Sequence, residues 1–321
     1  MTNLSRLGTA LTVLCFAVPG LALAQTYPSR PITLIINQET GGPTSLLGRA
    51  MGKSFSERGN PPIIVEDRPG AGGAVGVAAC ARARADGYTA CIVPRDMISI
   101  VPFQEKLEFD PAKDLEPVTQ IGWLANVIVV NPSLPVENFK GLIAYAKQNP
   151  GKLNYTAFAT AQAIMQWIMN ETGIDMTFVP FKGGPSGMQA FFAGQLHVMY
   201  LAVGNPGLVA QIRAGKMKPL AMPDHHPLLP GVPSFAEAGL PQFGFRSWLG
   251  VFVPAGVPKE ALGKLSAELQ AVIKTPEFQN SVLTPFGLLP IGNSPGEFAK
   301  FLAEDRKDGA VLAKLAGSRV Q

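Results

Sequence analysis

Short apolar runs separated by glycine- and proline-rich turns dominate the chain. The run Ile32–Ile36 is short and β-branched, which predicts a buried strand. A glycine-rich turn at 41–45 and a segment with helical spacing follow it. Strands of the same kind are predicted at 63–65 and 89–93. This alternation of strands and helices is typical of a doubly wound α/β sheet.

The later apolar runs predict a second α/β unit. We expect the strand at 125–130 to carry the chain into it, and the segment 245–253 to carry the chain back. The other predicted elements are strands at 153–155, 177–179 and 198–201 and helices at 136–148, 259–273 and 295–316. We expect the last two helices to pack on the first unit.

Residues 1–24 have the pattern of a secretory signal peptide. Arg6 is a weak basic region, residues 11–18 are apolar, and Ala22-Leu23-Ala24 is a small-x-small cleavage site. The apolar run is too short for a comfortable membrane span, and no later run reaches that length. We therefore expect cleavage near Ala24 and an exported, soluble mature protein.

Composition and charge narrow the class of protein further. The chain is 47% hydrophobic, which is too high for a disordered chain, and its length favours two lobes. The net charge of +4 is small and no Lys/Arg block carries interleaved aromatics, so nucleic acid is not an expected partner. Cys80 and Cys91 are the only cysteines after residue 24; a disulfide between them and two buried thiols both remain open.

Two turns, at 41–45 and 67–76, join a strand to a helix through glycines. This geometry directs unpaired backbone N–H groups and the positive end of a helix dipole at one point, which attracts an anion. For the hydroxyls, helix capping is the alternative role. The candidate ligand-binding residues of the two turns are Gly42, Thr44, Ser45, Gly70, Ala71, Gly72 and Gly73.

Two enzyme motifs are nearly matched, and both fail. A dinucleotide fingerprint starting at Gly70 needs its third glycine at Val75, but the glycine is Gly76. The segment 292–296 matches the nucleophile elbow of hydrolases, yet every histidine precedes Ser294. Ser294 and Glu297 instead predict a helix capping box. We expect no cofactor.

The three histidines lack partners at the spacing of metal ligands. We therefore expect structural or surface roles for them, and no metal site. They are His197, His225 and His226.

A series of motifs, in order along nearly the whole mature chain, resembles the solute-binding receptors of tripartite tricarboxylate transporters, the Bug or TctC-like family. Each motif is weak alone, and the ordered set is specific. The motifs are YPSRPI at 27–32, GGPT at 41–44, EDRPGAGG at 66–73, DGYT at 86–89, VPFKGG at 179–184, GQ at 194–195, AGK at 214–216, PGVPS at 230–234, EAG at 237–239 and WLGVFVPAGVP at 248–258.

The resemblance implies a two-lobed periplasmic binding protein of type II, with a doubly wound mixed sheet in each lobe and two strands crossing at the hinge. Residues 25–125 and 246–321 would form lobe 1, and residues 126–245 lobe 2. The implied function is capture of a small organic carboxylate for membrane permease subunits, not catalysis. We expect a monomer in the periplasm without cofactor. The alternative is a secreted α/β hydrolase-like enzyme acting on a carboxylic acid or ester.

Further ligand-binding candidates follow the later strands. Phe158 could fill the core instead, Lys182 could be a solvated lysine, Tyr200 could face ligand or core, and Trp248 could wall the cleft or pack the hinge. These candidates are Phe158, Ala159, Thr160, Gln162, Phe181, Lys182, Gly183, Tyr200 and Trp248.

Several positions at which this sequence differs from the family it resembles bear on the identity of the ligand. Ser45 and Leu201 stand where the family often has Asp, and the loop 156–162 is about three residues shorter, with Gln162 near a family histidine. Loss of those carboxylates makes an ammonium-bearing ligand less expected. The hypothesis is a carboxylate with substantial apolar or aromatic surface.

Overall fold

The computed structural model describes residues 27–157, 160–181, 184–240 and 245–317. The predicted signal peptide and the candidates Phe158, Ala159, Lys182 and Gly183 lie outside these ranges. The strands are β1 Ile32–Ile36, β2 Ile63–Asp67, β3 Thr89–Pro94, β4 Leu115–Leu124, β5 Asn126–Val130, β6 Asn154–Thr156, β7 Thr177–Phe178, β8 Val198–Ala202, β9 Lys218–Ala221, β10 Ser247–Pro254 and β11 Leu288–Pro290. The helices are α1 Pro43–Glu57, α2 Ala74–Ala81, α3 Arg95–Ser99, α4 Phe139–Gln148, α5 Thr160–Thr172, α6 Gly184–Phe192, α7 Leu208–Arg213, α8 Lys259–Ile273, α9 Pro276–Phe278 and α10 Pro295–Gly317.

The first lobe is built on a six-stranded mixed sheet with the order β11-β4-β10-β3-β1-β2. Strands β2, β1 and β3 are parallel, whereas β10 runs antiparallel to both β3 and β4. The predicted strands at 32–36, 63–65 and 89–93 are confirmed. Because β1 is buried on both faces, its sequence is a continuous apolar run rather than an alternating one.

The second lobe is built on a five-stranded mixed sheet with the order β7-β6-β8-β5-β9. Strand β8 is parallel to β6 and antiparallel to β5. A core of aromatic and methionine side chains, including Tyr155, Phe235 and Met165, packs on this sheet. The two sheets with their flanking helices give the predicted two-lobed α/β architecture.

The chain crosses between the lobes at Ala125, which separates β4 from β5. The amide of Ala125 donates to the Gly287 carbonyl at 2.8 Å, and its carbonyl accepts from the Val203 amide at 2.8 Å. Next to this crossing, Gly204 lies directly against the backbone carbonyl of Phe286, where any Cβ would collide. The hinge therefore joins three chain segments through backbone contacts.

The last helix packs on both lobes. Phe298 and Leu302 of α10 belong to a first-lobe core cluster with Trp248. Farther along the same helix, Leu312 and Ala313 are buried in the core of the second lobe. The expectation that the last two helices pack on the first unit is confirmed for α8 and for the first half of α10, and the second half of α10 reaches past the hinge.

Local capping explains where several helices begin. The helix predicted from residue 136 starts instead at Phe139, because the Asn138 side chain caps it by accepting the Gly141 amide at 2.9 Å. The capping box at α10 is confirmed: the Ser294 amide donates to Glu297 Oε2 at 2.8 Å, and the Glu297 amide to Ser294 Oγ at 3.3 Å.

Cys80 and Cys91, whose pairing the sequence left open, form a disulfide that joins α2 to β3. Their Cα atoms are 6.1 Å apart. The bond ties a helix of the first lobe to a central strand of its sheet.

Candidate ligand-binding site

The first glycine turn leads into α1, whose N-terminus has no side-chain cap. Gly42 is the N-cap residue, and Pro43 occupies the first turn. Thr44 and Ser45 are both buried, and the Ser45 Oγ has no hydrogen-bond partner among the described residues. Capping therefore does not account for these hydroxyls, and the first amides of α1 stay available to an anion.

The second glycine turn has a backbone that only a glycine-rich sequence readily adopts. Gly70, Ala71, Gly72 and Gly73 have φ values of 129°, 44°, 62° and 104°. Gly73 is the N-cap of α2, again without a side-chain cap. A Cβ on Gly73 would collide with the side-chain amide of Asn37, which follows β1. The second turn is thus packed against the carboxyl end of β1.

A cavity of about 250 Å³ lies between the lobes, beyond the carboxyl ends of β3 and β8. Three predicted residues, Thr160, Tyr200 and Trp248, line it. A neighbouring cavity of about 180 Å³ shares residues such as Leu124 and Asn205 with it and reaches Thr44. The first turn of α1 therefore faces the second lobe across a shared crevice, where open α/β sheets bind ligands.

A buried ion pair supports the first-lobe wall of the crevice. Arg95 Nε donates to Asp305 Oδ1 at 2.8 Å, and Trp248 Nε1 donates to Asp305 Oδ2 at 3.2 Å. Arg95 and Asp305 are 1% and 4% exposed. Burial raises the pKa of the Asp305 carboxyl, although the Arg95 charge opposes this shift. Both terminal guanidinium nitrogens of Arg95 are buried without a partner among the described residues.

Tyr200 belongs both to the core and to the cavity wall, so its two predicted roles coexist. Its ring packs against Phe235 with centroids 6.3 Å apart. Its hydroxyl has no partner among the described residues. Burial, followed by the charge of Asp224, raises the pKa of Tyr200, which keeps the phenol protonated and able to donate.

Asp96 is the acidic residue among those lining the 250 Å³ cavity. It is partly exposed and forms no ion pair within the described ranges. Burial raises the pKa of its carboxyl, while the amides of Asp96 and Met97 and the Arg95 charge lower it to a smaller extent. The cavity wall therefore carries an acidic group that the sequence-based hypothesis, argued from the loss of carboxylates at Ser45 and Leu201, does not include.

Other predicted residues lie elsewhere on the described surfaces. Phe181 is half-buried against the second-lobe core, and Gln162 is half-buried on α5; neither lines these two cavities. Ala71 lines a separate groove on the first lobe. Trp248 is buried and takes part in the Asp305 network as well as in the cavity wall. Ligand contact by the glycine turns remains a prediction.

Several polar residues of the crevice are not among those predicted from the sequence. Gln38 lies after β1, Arg95 and Asp96 follow β3, and Asn126 opens β5. The first three positions come shortly after predicted strands, where side chains reach the crevice. Their position after predicted strands is the sequence feature that identifies them as candidate crevice residues. The partner Asp305 is 210 residues away from Arg95, and no local pattern pairs them.

The histidines have contacts other than metal ligation. His197 Nδ1 accepts from the Asn154 amide at 2.9 Å, and His225 lies 3.1 Å from Glu237. His226 is buried. The described residues contain no cluster of three or more His, Cys, Asp or Glu side chains suited to a metal ion.

A ligand crevice between two α/β lobes is the architecture of periplasmic solute-binding proteins. The chain belongs to the TctC family, the tripartite tricarboxylate transporter family receptors, because that family's model matches residues 47–316. Its fold and motifs are thus those of a receptor family rather than an enzyme family. Within the described ranges, no helix combines the length and the hydrophobicity needed to cross a membrane.

Relatives and solved structures agree with this assignment. The chain is 30% identical to the Cupriavidus necator "UPF0065 protein in gbd 5'region" over 95% of this chain and 93% of that protein. It is 27% identical to Protein BugT of Bordetella pertussis over 99% and 100% of the two chains. The structure "R. palustris Rpa4515 with adipate" has a TM-score of 0.78, 28% identity and coverage of 91% and 98%. MatC of Rhodopseudomonas palustris with bound malate has a TM-score of 0.73, 25% identity and coverage of 90% and 100%.

Proposed function

We propose that this protein is a periplasmic receptor that captures a small organic carboxylate with substantial apolar or aromatic surface and delivers it to the membrane subunits of a tripartite tricarboxylate-type transporter. It acts as a monomer after removal of residues 1–24, without cofactor or catalysis. Lobe 1 comprises residues 25–125 and 246–321, and lobe 2 comprises residues 126–245. The relatives solved with adipate and malate support a carboxylate ligand.

One observation carries the proposal: residues on both sides of the crevice carry buried polar atoms that have no partner among the described residues. Most of these atoms are donors, and an unpaired buried donor costs about 1–3 kcal/mol. A carboxylate supplies acceptors for several donors at once, through charge-assisted hydrogen bonds. Arg95 Nη1 and Nη2 and Tyr200 Oη belong to residues that line the 250 Å³ cavity. Ser45 Oγ in the first turn of α1, Thr156 Oγ1 at the end of β6 and the acceptor Asn37 Oδ1 after β1 are further examples.

The apolar part of the ligand is supported by the remaining walls. The smaller cavity is lined by Leu47, Leu124, Leu249 and Phe286, next to Thr44 at the start of α1. Burial of a hydrocarbon surface against these side chains contributes about 25 cal/mol per Å² to the binding free energy. A ligand with its carboxylate at the N-terminus of α1 and an apolar body along these side chains fits both the unpaired donors and the apolar wall.

The test is a thermal-shift and calorimetric titration of residues 25–321 with matched pairs of acids and amides. Hexanoate and phenylacetate should raise the unfolding temperature, whereas hexanamide and phenylacetamide should not, because the amide removes the charge but keeps the shape. Equal binding of acid and amide, or no shift with any acid, would overturn the carboxylate assignment. Tight binding of citrate or aspartate alone would contradict the apolar ligand.

A second arm separates the receptor from the hydrolase-like alternative. Ligand recovered after prolonged incubation should be chemically unchanged, as should the methyl ester of each acid. Appearance of a product at a rate proportional to protein concentration would reject the receptor. Ser45→Ala should weaken acid binding about fivefold or more, because one hydrogen bond to the carboxylate is lost. Ser56→Ala, at the far end of α1, is the matched control.

A further inference from the structure

The wall of the 250 Å³ cavity carries an acidic side chain that a carboxylate ligand has to accommodate. Asp96 lines the cavity beside Tyr200, Asn126 and Ser247. Arg95 is the one cation among the described residues lining that cavity, and its ion pair is with Asp305 on α10 rather than with Asp96. Asp96 therefore lines the cavity without an ion pair of its own within the described ranges.

An acidic group in this position acts differently on different ligands. Two like charges in a poorly solvated crevice repel, by several-fold more than in water. A ligand whose second polar end is also a carboxylate meets that repulsion. A ligand whose second end donates a hydrogen bond meets a charge-assisted acceptor instead.

We propose that Asp96 is the specificity-determining residue of the crevice, and that it selects carboxylates whose other end carries a hydrogen-bond donor, a hydroxyl or an ammonium, over dicarboxylates. This inference rests on the proposed function and names the substrate class within it. The carboxylate end binds at the start of α1, which has no acidic residue in its first turn. The donor end reaches Asp96 across the crevice.

The experiment compares carboxylates that differ only in the group at the other end of the hydrocarbon chain, for chains of three to eight carbons. For each length, the n-alkanoate, the ω-hydroxy acid, the ω-amino acid and the α,ω-dicarboxylate are titrated calorimetrically into the wild-type protein at pH 8. This pH is used to keep the Asp96 carboxyl ionised, because burial raises its pKa. At the best-binding length, we expect the better of the hydroxy and amino acids to bind about tenfold more tightly than the dicarboxylate. The hydroxy and amino arms distinguish the two kinds of donor.

The isosteric variant Asp96→Asn removes the charge and keeps the shape. In this variant the preference for the donor end should shrink to within about twofold, mainly because the dicarboxylate binds more tightly. Glu105→Gln, outside the crevice, is the control and should keep the wild-type order. The comparison of ligands on the wild-type protein does not depend on the variant. The proposal can therefore be tested even if Asp96→Asn does not fold.

The outcomes distinguish a failure of the Asp96 inference from a failure of the proposed receptor function. If acids bind but the dicarboxylate equals or exceeds the donor-bearing acids in the wild type, Asp96 does not select and the inference is wrong. An unchanged ratio in Asp96→Asn has the same meaning. If no carboxylate of any series binds, the receptor function itself is rejected together with the inference.

Discussion

The two walls of the crevice are built by different means. The first-lobe wall is fixed by a disulfide, Cys80–Cys91, and by the Arg95–Asp305–Trp248 network. On the second-lobe wall, Tyr200 packs against Phe235, which is itself packed on Phe139. Methionines such as Met165 and Met169 fill the same core.

This difference separates two tasks of a closing receptor. Bonds with fixed geometry hold the first-lobe donors in place before a ligand arrives, which lowers the entropy lost on binding. Methionine and aromatic packing is adaptable, so the second lobe adjusts to the ligand that is captured. We therefore expect changes in the disulfide and in the Asp305 network of the first lobe to act on stability, and changes at the second-lobe wall to act on affinity.

The largest expected effect is removal of the buried acid. Asp305→Ala leaves Arg95 buried without a counter-charge, which should lower the free energy of unfolding by about 3–5 kcal/mol. Urea unfolding monitored by Trp fluorescence measures the loss. Glu304→Ala, its exposed neighbour, should stay within about 0.5 kcal/mol. If Asp305→Ala were as stable as that control, the network would not fix the first lobe.

The disulfide should come next. Cys80→Ser with Cys91→Ser opens a short loop, at a cost of about 2–3 kcal/mol. Differential scanning calorimetry with and without dithiothreitol provides the measurement. Reductant should lower the unfolding temperature of the wild type and leave the double variant unchanged. A shift of equal size in both proteins would show that the bond does not contribute.

Tyr200→Phe probes the opposite wall. The change removes a buried hydroxyl that has no described partner, so stability should be equal or slightly higher. Carboxylate affinity should fall about five- to tenfold, because the variant lacks the proposed hydrogen bond from the hydroxyl to the ligand. Calorimetric titration of the best acid checks this, with Tyr145→Phe on α4 as the control. Unchanged affinity would assign Tyr200 to the core alone.

The smallest effect concerns pH and the second lobe. Burial lowers the pKa of His226 to about 4, below the value of about 6.5 in the unfolded chain. Between these values the unfolded state binds more protons, so stability falls as the pH drops from about 6.5 to about 4. His226→Asn should recover about 2–4 °C of unfolding temperature at pH 4.5 relative to pH 7.5. The exposed His225→Asn should keep the wild-type profile, and identical profiles for all three proteins would exclude His226.

The fold was largely predictable from the sequence, whereas the crevice was predictable only in part. Buried parallel strands such as β1 and β3 can be recognised in the sequence as continuous apolar runs rich in β-branched residues. The Ser294–Glu297 capping box likewise predicts the start of α10. Short strands such as β9 and β11 carry no comparable pattern. Charges in the crevice depend on long-range pairing: whether Arg95 neutralises Asp96 is decided by Asp305 on α10, and local sequence does not contain that information.

The reach of α10 has a consequence for how the molecule matures. Leu312 and Ala313 complete the core of a lobe whose strands all come from the middle of the chain. A polypeptide in which α10 has not yet packed therefore exposes apolar surface on that lobe. We expect the core of the second lobe to be completed only when α10, which begins on the first lobe, is in place.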